Sequence, residues 1–170
     1  FMDEKYGHAM CNFGGGMEHQ TISSMGGFSE DLIAHELAHQ WFGDKITCKT
    51  WSDIFVNEGF ASYAEALFQE HKYGKEAYFE TINDHTSRAK KTTEPIYISK
   101  PSNENLIFDY GLTYGKGAVV LHMLRGVMGD SLFFQSLKNY QNSEFAHKAA
   151  TVDDFRNIAE KTSKRDLKYF

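Results

Sequence analysis

The sequence predicts a mainly α-helical fold with a small β portion near its start. Only two prolines occur among 170 residues, which favours long helices because proline disrupts a helix interior. Apolar residues recur at helical spacing along most of the chain, and 41% of all residues are hydrophobic, enough to supply a core. The length is that of one ordinary domain.

The first expected elements are a strand and a helix. Residues 5–13 are predicted to form a strand, and a loop over residues 23–28 leads to the first helix. Ser29 suits the N-cap of this helix, because its hydroxyl can accept a hydrogen bond from a free amide of the first turn. The helix is expected over residues 30–42, with Gly43 as its stop.

Helical patterns dominate the rest of the chain. Residues 90–112 contain both prolines and are expected to form an extended loop. Thr151 and Asp154 have the spacing of a capping arrangement at the start of the last helix. The predicted helices run from Ser52 or Asp53 to Tyr73, from Lys75 to Ala89, from Tyr114 to Met128, from Ser131 to Tyr140 and from Val152 to Lys161.

Composition argues against several classes of protein. The net charge is −5 and the pI is near 5.9, whereas a nucleic-acid-binding domain is expected to carry a basic patch. No apolar run approaches the length of a membrane-spanning helix. The two cysteines, Cys11 and Cys48, do not form a Cys-x-x-Cys pair, so we expect buried free thiols instead of a disulfide or a cysteine metal site.

Both ends of the chain resemble cut ends. The sequence opens at Phe1 without an initiator methionine. It closes on residues 166–170, whose pattern is typical of the start of a secondary-structure element. We therefore expect a fragment of a longer protein. No basic segment followed by an apolar stretch stands at the start, so no signal peptide is visible and the compartment stays open.

Residues 35–39 read His-Glu-Leu-Ala-His inside the first predicted helix. Residues four apart lie on one helix face, so the imidazoles of His35 and His39 can hold one zinc ion. Zinc lowers the pKa of a bound water to about 7. Glu36 is positioned to take the proton of that water and pass it to a leaving amine, as a general base does.

A catalytic zinc needs a third protein ligand and an open position. Glu58 is the candidate, because it stands early in the second predicted helix, eighteen residues after His39. If the chain reverses direction between the first and second predicted helices, the second helix brings the Glu58 carboxylate back to the two histidines. Asn57, Ser62 and Glu65 stand on the second predicted helix, where each could accept a hydrogen bond from the outer nitrogen of a ligand histidine; an exposed polar helix face is the alternative interpretation. Five further histidines lack ligand spacing and are interpreted as structural or exposed, namely His8, His71, His85, His122 and His147.

These motifs resemble the gluzincin signature and, more closely, the M1 family of aminopeptidases. The family pattern is matched by the extended run 35–43, by Trp51 and by residues 57–61, which read Asn-Glu-Gly-Phe-Ala. Upstream, residues 15–19 read Gly-Gly-Met-Glu-His, which is similar to the family's Gly-x-Met-Glu-Asn except at His19. Downstream, residues 114–117 read Tyr-Gly-Lys-Gly against the family's Tyr-Glu-Lys-Gly.

The resemblance implies a role for each matched residue. His35, His39 and Glu58 would bind a single Zn²⁺, and Glu36 would be the base. Glu18 would bind the α-amino group of the substrate, and Tyr114 would donate a hydrogen bond to the tetrahedral oxyanion. The substrate backbone would lie along Gly15, Gly16 and Met17.

The implied fold is the helical part of a thermolysin-like, or zincin, catalytic domain with a remnant of its small sheet. Residues 1–170 would then be one catalytic domain truncated at both ends, without the N-terminal β-domain and C-terminal helical region of the family. The implied substrates are peptides.

Three other interpretations stay open at this point. The chain could be a zincin-fold binding module, or an isolated domain with little activity. Epoxide hydrolysis, which one branch of the family performs, is a further enzymatic interpretation that no residue here requires. An intact Glu36 beside three intact ligands favours the peptidase.

We expect the isolated chain to bind zinc while its peptidase activity is weak or absent, because the absent flanking regions would supply much of the cleft. Metal analysis measures the first property, and turnover of aminoacyl-4-nitroanilides measures the second. Turnover comparable to that of an intact family enzyme would contradict the expectation of weak activity.

Overall fold

The structure is a computed structural model that describes residues 5–170; the expected start of the domain at residue 1 lies outside the described residues. It is mainly helical with short strands, as the sequence predicts. The strands are β1 (Gly7–Met10), β2 (Gly16–Met17), β3 (Ile22–Met25), β4 (Ile46–Cys48) and β5 (Lys148–Ala150). The helices are α1 (Glu30–Ala38), α2 (Phe55–Tyr73), α3 (Lys75–Ala89), α4 (Glu104–Ile107), α5 (Gly117–Met128), α6 (Asp130–Gln141) and α7 (Val152–Ser163), with a 3₁₀ turn at Trp51–Asp53 and a π-helix at Tyr110–Lys116.

The first sheet has the order β1-β3-β2, with β1 parallel and β2 antiparallel to the central strand. The predicted strand over 5–13 is therefore too long, since β1 ends at Met10. The predicted loop over 23–28 is wrong at its start, where β3 runs through Met25. The two serines of β3 weaken its local strand signal, and pairing on both sides makes it a strand.

The first helix ends four residues earlier than predicted, at Ala38. Ser29 caps its start as expected, with its hydroxyl accepting from the Leu32 amide at 3.3 Å. Beyond Ala38 the backbone continues in tight turns to Gly43, whose φ of 138° favours glycine. His39 consequently lies at the C-cap, one residue past the helix end.

Ser52 and Asp53 do not cap α2, contrary to the prediction, because both lie buried in the preceding 3₁₀ turn. The Asp53 carboxylate instead accepts a hydrogen bond from the Val152 amide at 3.2 Å, at the start of α7. The capping box predicted for α7 is confirmed: Thr151 and Asp154 bond each other's backbone amides.

The extended loop predicted over 90–112 is wrong in its second half. It contains α4, and the π-helix begins at Tyr110, whereas the next helix was expected at Tyr114. Asp109 caps the π-helix by accepting from the Leu112 amide at 2.7 Å.

A second, two-stranded sheet pairs β4 with β5 in parallel over a chain separation of about one hundred residues. Its strands are three residues each. Cys48 lies in β4 and Cys11 just after β1; both are free thiols, as expected, but only partly buried.

The core lies between α2 and the last three helices, α5, α6 and α7. Phe60 of α2 stacks on Phe42 at a centroid distance of 4.6 Å and meets Phe155 edge-on at 4.8 Å. Tyr140 completes this aromatic group and is fully buried. Within residues 5–170, no helix combines the length and the apolar character that crossing a bilayer requires.

Two glycines let α2 and α5 pack closely. A Cβ at Gly117 would lie 2.7 Å from the Gly59 Cα and 3.3 Å from a ring carbon of Phe55. Gly59 stands one residue after Glu58, so this contact fixes the part of α2 that carries the predicted metal ligand.

Replacing Gly117 with alanine is expected to lower the free energy of unfolding by about 1–3 kcal/mol, because the added methyl meets backbone that cannot move aside. Urea unfolding followed by circular dichroism measures the change. Gly126→Ala is the matched control in the same helix, since a Cβ there meets nothing within 4 Å. The control is expected to be neutral or stabilising by up to about 1 kcal/mol; equal stability of the two variants would contradict the prediction.

Candidate active site

The two motif histidines and Glu58 meet where α1 packs against the start of α2. All three side chains are buried, with His35 8%, His39 1% and Glu58 5% exposed. One carboxylate oxygen of Glu58, Oε2, lies 3.2 Å from His35 Nε2 and 3.3 Å from His39 Nε2. The three ligand atoms predicted from the sequence are therefore brought together at one point.

The outer nitrogen of each histidine is held by a different partner. His35 Nδ1 donates to Glu65 Oε1 at 2.8 Å, and His39 Nδ1 donates to the Phe42 carbonyl at 2.9 Å. In this arrangement each Nδ1 carries the proton and each Nε2 is directed at Glu58. Bonds of this kind fix the ring orientation and the tautomer of a metal-binding histidine.

Of the three residues expected to support the ligands, only Glu65 contacts one among the described atoms. The Asn57 side chain accepts from the Cys48 amide at 2.8 Å and so ties α2 to β4. Ser62 Oγ is buried without a hydrogen-bond partner in the described part of the chain.

Burial and pairing compete at this cluster. Burial by itself lowers the pKa of His35, but hydrogen bonds to Glu58 and Glu65 outweigh it and raise the pKa to about 10. Burial by itself raises the pKa of Glu58, but hydrogen bonds from His35 and His39 outweigh it and lower the pKa to about 2. Without a metal, a positive imidazolium and a negative carboxylate thus stabilise each other, and a cation would take the place of the proton.

Glu36 lies beside this cluster on α1 and is 3% exposed. Burial raises the pKa of its carboxyl to about 7, against the opposing charges of His35 and His39. Its Oε2 atom has no hydrogen-bond partner among the described residues. A carboxylate with a pKa near neutrality and a free oxygen has the properties that a general base requires.

The donor set suits zinc. Two imidazole nitrogens and one carboxylate oxygen, all within 4.8 Å of one another, match the His₂Glu ligands of a catalytic zinc site. Glu18, Glu36 and His39 also come within that distance, but this second group shares His39 and leaves out His35. The first group has a donor set and Nδ1 partners that suit a metal site, and the second group places Glu18 at the edge of that site.

The glycine run borders the same site. Gly15 and Gly16 line the cavity over Glu36, and a Cβ at Gly16 would lie 2.3 Å from Glu36 Oε1. Gly15 has a φ of 81°, which favours glycine, and its carbonyl accepts from the Gly26 amide at 2.8 Å. Met17 is not among the residues that line the cavity, and its side chain is exposed on β2.

Tyr114 comes to the site from the π-helix, a geometry often found at functional sites. Its ring lies 5.9 Å from the His35 ring, centroid to centroid, and lines the cavity. Burial and the charge of Glu58 both raise the pKa of its hydroxyl, so the group stays protonated and can donate.

The two departures from the family pattern are accommodated locally. His19 is exposed, and its Nδ1 lies 2.9 Å from the Ser24 hydroxyl on β3. Gly115 packs against α3, where a Cβ would lie 3.0 Å from the His85 carbonyl. Neither departure contacts the histidine and glutamate cluster.

A cavity of about 760 Å³ joins these residues. Its wall includes α3, where His85, interpreted from the sequence as structural or exposed, is buried and lines the cavity. No motif spacing connects His85 with residues 35–39, so its position was not predictable from the pattern.

The helical fold and the buried His₂Glu cluster together define a metallopeptidase-like protein, and comparisons with known proteins agree. The model of the peptidase family M1 domain matches residues 18–170, so the chain belongs to peptidase family M1.

Two relatives and one solved structure illustrate the relationship. The chain is 39% identical over 145 residues to probable aminopeptidase 2 of Sulfurisphaera tokodaii, covering 78% of this chain and 18% of that protein. It is 34% identical over 145 residues to aminopeptidase N of Streptomyces lividans, covering 80% and 17%. An M1 zinc metallopeptidase from Deinococcus radiodurans superposes with a TM-score of 0.82 at 30% identity, covering 92% of this chain and 36% of that one.

The chain therefore spans less than a fifth of the length of these two curated relatives. Its resemblance to M1 metallo-aminopeptidases holds over most of its own length, and the relatives are much longer than the matching region. The zinc in the name of the solved relative agrees with the donor set of the cluster.

Asp44 provides a pH test of the electrostatics beside the site. Burial raises the pKa of its carboxyl to about 6, and the charge of Glu18 acts in the same direction. Its ordinary pKa in an unfolded chain is 3.8. Ionised Asp44 therefore destabilises the fold progressively as pH rises from below 3.8 to about 6.

Asp44→Asn is expected to make the metal-free chain more stable at pH 7 and to leave its stability unchanged near about pH 3.5. Urea unfolding at a series of pH values measures the difference. Asp166→Asn, at an exposed position, is the control and should show no such gain. A stabilisation by Asp44→Asn that is the same at both pH values would contradict the assigned cause.

Proposed function

We propose that this chain is the zinc-binding part of an aminopeptidase, which hydrolyses the N-terminal peptide bond of peptides. The observation that carries the proposal is the buried cluster of His35, His39 and Glu58, with Glu36 free beside it and Glu18 at its edge. Membership of the M1 family and the names of its relatives support the same activity.

His35, His39 and Glu58 would hold one Zn²⁺ through their Nε2 and Oε2 atoms. Bound there, the ion would supply Lewis-acid polarisation of the scissile carbonyl and lower the pKa of the attacking water to about 7. The two Nδ1 bonds, to Glu65 and to the Phe42 carbonyl, hold the orientation of both imidazoles and would leave each Nε2 available to the ion.

Glu36 acts first as a base and then as an acid. Its carboxylate takes one proton from the water whose oxygen attacks the carbonyl carbon. The same proton goes to the nitrogen of the leaving amine as the carbon–nitrogen bond breaks, and the carboxylate is regenerated. Burial raises the pKa of the Glu36 carboxyl above its ordinary value, which favours the acceptance of a proton from the water.

Tyr114 would stabilise the charge that appears on the carbonyl oxygen. Its hydroxyl stays protonated because burial raises its pKa, so it donates a hydrogen bond where negative charge develops. Because this charge exists only on the way to the product, the bond accelerates the reaction instead of tightening substrate binding.

Glu18 would select the end of the peptide. Its carboxylate lies close to Glu36 and His39, at the edge of the cluster, and would pair with the ammonium of a free N-terminus. Gly15 and Gly16 line the adjoining wall and would present backbone groups to an extended peptide. Such a site cleaves one residue from the end, which makes the enzyme an exopeptidase.

The complete architecture belongs to the proposal as well. Residues 1–170 would be one thermolysin-like catalytic domain of a longer protein, with flanking domains that complete the cleft. The much greater length of the relatives supports this interpretation.

Glu36→Gln is expected to lower kcat by about 10²–10⁴-fold, because the amide keeps the shape of the side chain but cannot accept the proton. Hydrolysis of fluorogenic aminoacyl amides by concentrated, zinc-loaded protein measures the loss, and zinc content should be unchanged. Glu144→Gln, at an exposed position, is the control.

Retention of full hydrolysis by Glu36→Gln would contradict its role as base. If the unmutated chain binds zinc but hydrolyses nothing above background, the result supports a binding module or an inactive isolated domain instead.

Glu65→Ala is expected to weaken zinc binding by about 10–100-fold, because the His35 ring loses the acceptor that orients it. Competition with a chromophoric chelator measures the zinc Kd. Glu94→Ala, whose side chain is exposed, should bind zinc like the unmutated chain. An unchanged Kd in Glu65→Ala would show that this contact does not support the metal.

A further inference from the structure

His85 is a buried histidine that the mechanism does not use. It lies on α3, is 2% exposed and lines the cavity opposite α2. Neither of its ring nitrogens has a hydrogen-bond partner among the described atoms. A buried polar group without a partner costs about 1–3 kcal/mol, so a histidine at this position calls for a compensating interaction.

The nearest charged group is Glu65. His85 Nε2 lies 3.6 Å from Glu65 Oε2, while the other oxygen of the same carboxylate accepts from His35 Nδ1 at 2.8 Å. A separation of 3.6 Å is too long for a direct hydrogen bond. A small rotation of either side chain, or one bridging water, closes it.

The surroundings of His85 support a role as donor. Burial lowers the pKa of its ring, so the neutral form, with one N–H group, prevails. Ser62 Oγ, also buried and without a described partner, lines the same cavity one helical turn before Glu65 and would help to hold a bridging water.

The basic side chain nearby is already engaged. Arg88, one turn along α3 from His85, forms an ion pair with Asp84 and lies over the Tyr110 ring at 4.5 Å from its centroid. Arg88 therefore does not pair with Glu65, and the Oε2 atom of Glu65 can accept a hydrogen bond from His85. At the opposite end of the contact, the His85 backbone is fixed by Gly115, which packs against its carbonyl.

We propose that His85 is a positioning residue for the metal site: it donates to Glu65 Oε2, directly or through one water, and thereby holds the carboxylate that orients the ligand His35. The inference rests on the proposed zinc site. The contact would link α3 to the proposed zinc site, whose ligands lie on α1, at the C-cap of α1 and on α2.

Zinc affinity tests this relay. His85→Leu removes the donor at similar volume and is expected to raise the zinc Kd by about 3–10-fold, less than the loss of a residue that contacts the ligand itself. His85→Gln retains an N–H at nearly the same distance from the backbone and is expected to bind zinc within about twofold of the unmutated chain.

Ile82→Val is the control for a general disturbance of α3. Ile82 is 4% exposed and packs in the main core, one turn before His85. This variant is expected to lower the free energy of unfolding while the zinc Kd stays unchanged. Unfolding of each metal-free variant in urea establishes that the compared chains are folded.

A double-mutant cycle gives the decisive result. In the Glu65→Ala background, His85→Leu is expected to cause no further change in the zinc Kd, because the relay is already broken. An equal effect in both backgrounds, or no effect of His85→Leu on a chain that binds zinc, overturns the proposal. Failure of His35, His39 and Glu58 to bind zinc in the unmutated chain would overturn the proposed function itself.

Discussion

The carboxylate of Glu58 lies within 3.3 Å of the inner nitrogens of both His35 and His39, in a place that is almost closed to solvent. Burying three such groups is unfavourable unless each is paired, and breaking a buried pair costs several kcal/mol. The first turn of α2 must therefore pack at a fixed distance from the end of α1. The close contact of Gly59 with Gly117 holds α2 in that position from the opposite side.

The remaining parts of the site are arranged around this contact. The turn that follows α1 brings the Phe42 carbonyl back to His39, and Glu65 reaches His35 from the next turns of α2. Tyr114 arrives on a π-helix that packs against α3, and Gly16 of β2 borders Glu36. Under the proposed function, a zinc ion, a base, an oxyanion donor and an acid for the substrate amine would act in one cavity.

The order and type of the long helices were predictable because their signals are local. Ser29 at the start of α1 and the capping pair of Thr151 and Asp154 both act within one turn of chain. The errors occur where distant segments decide the structure. β3 carries two serines and becomes a strand through its neighbours, and β4 pairs with β5 about one hundred residues away. The π-helix was missed because the nearby prolines dominated the local pattern.

The sequence by itself determined the donor set of the candidate metal site: a His-Glu-x-x-His segment and a later glutamate supply two imidazoles and a carboxylate, since helical spacing already puts the two imidazoles on one face. Only the tertiary structure decided how those atoms are held. Glu65 gives His35 its tautomer, burial raises the pKa of Glu36 to about 7, and α3 brings His85 to the rear of the site. Orientation, burial and charge arise from segments that meet only in the folded chain, and no local pattern records them.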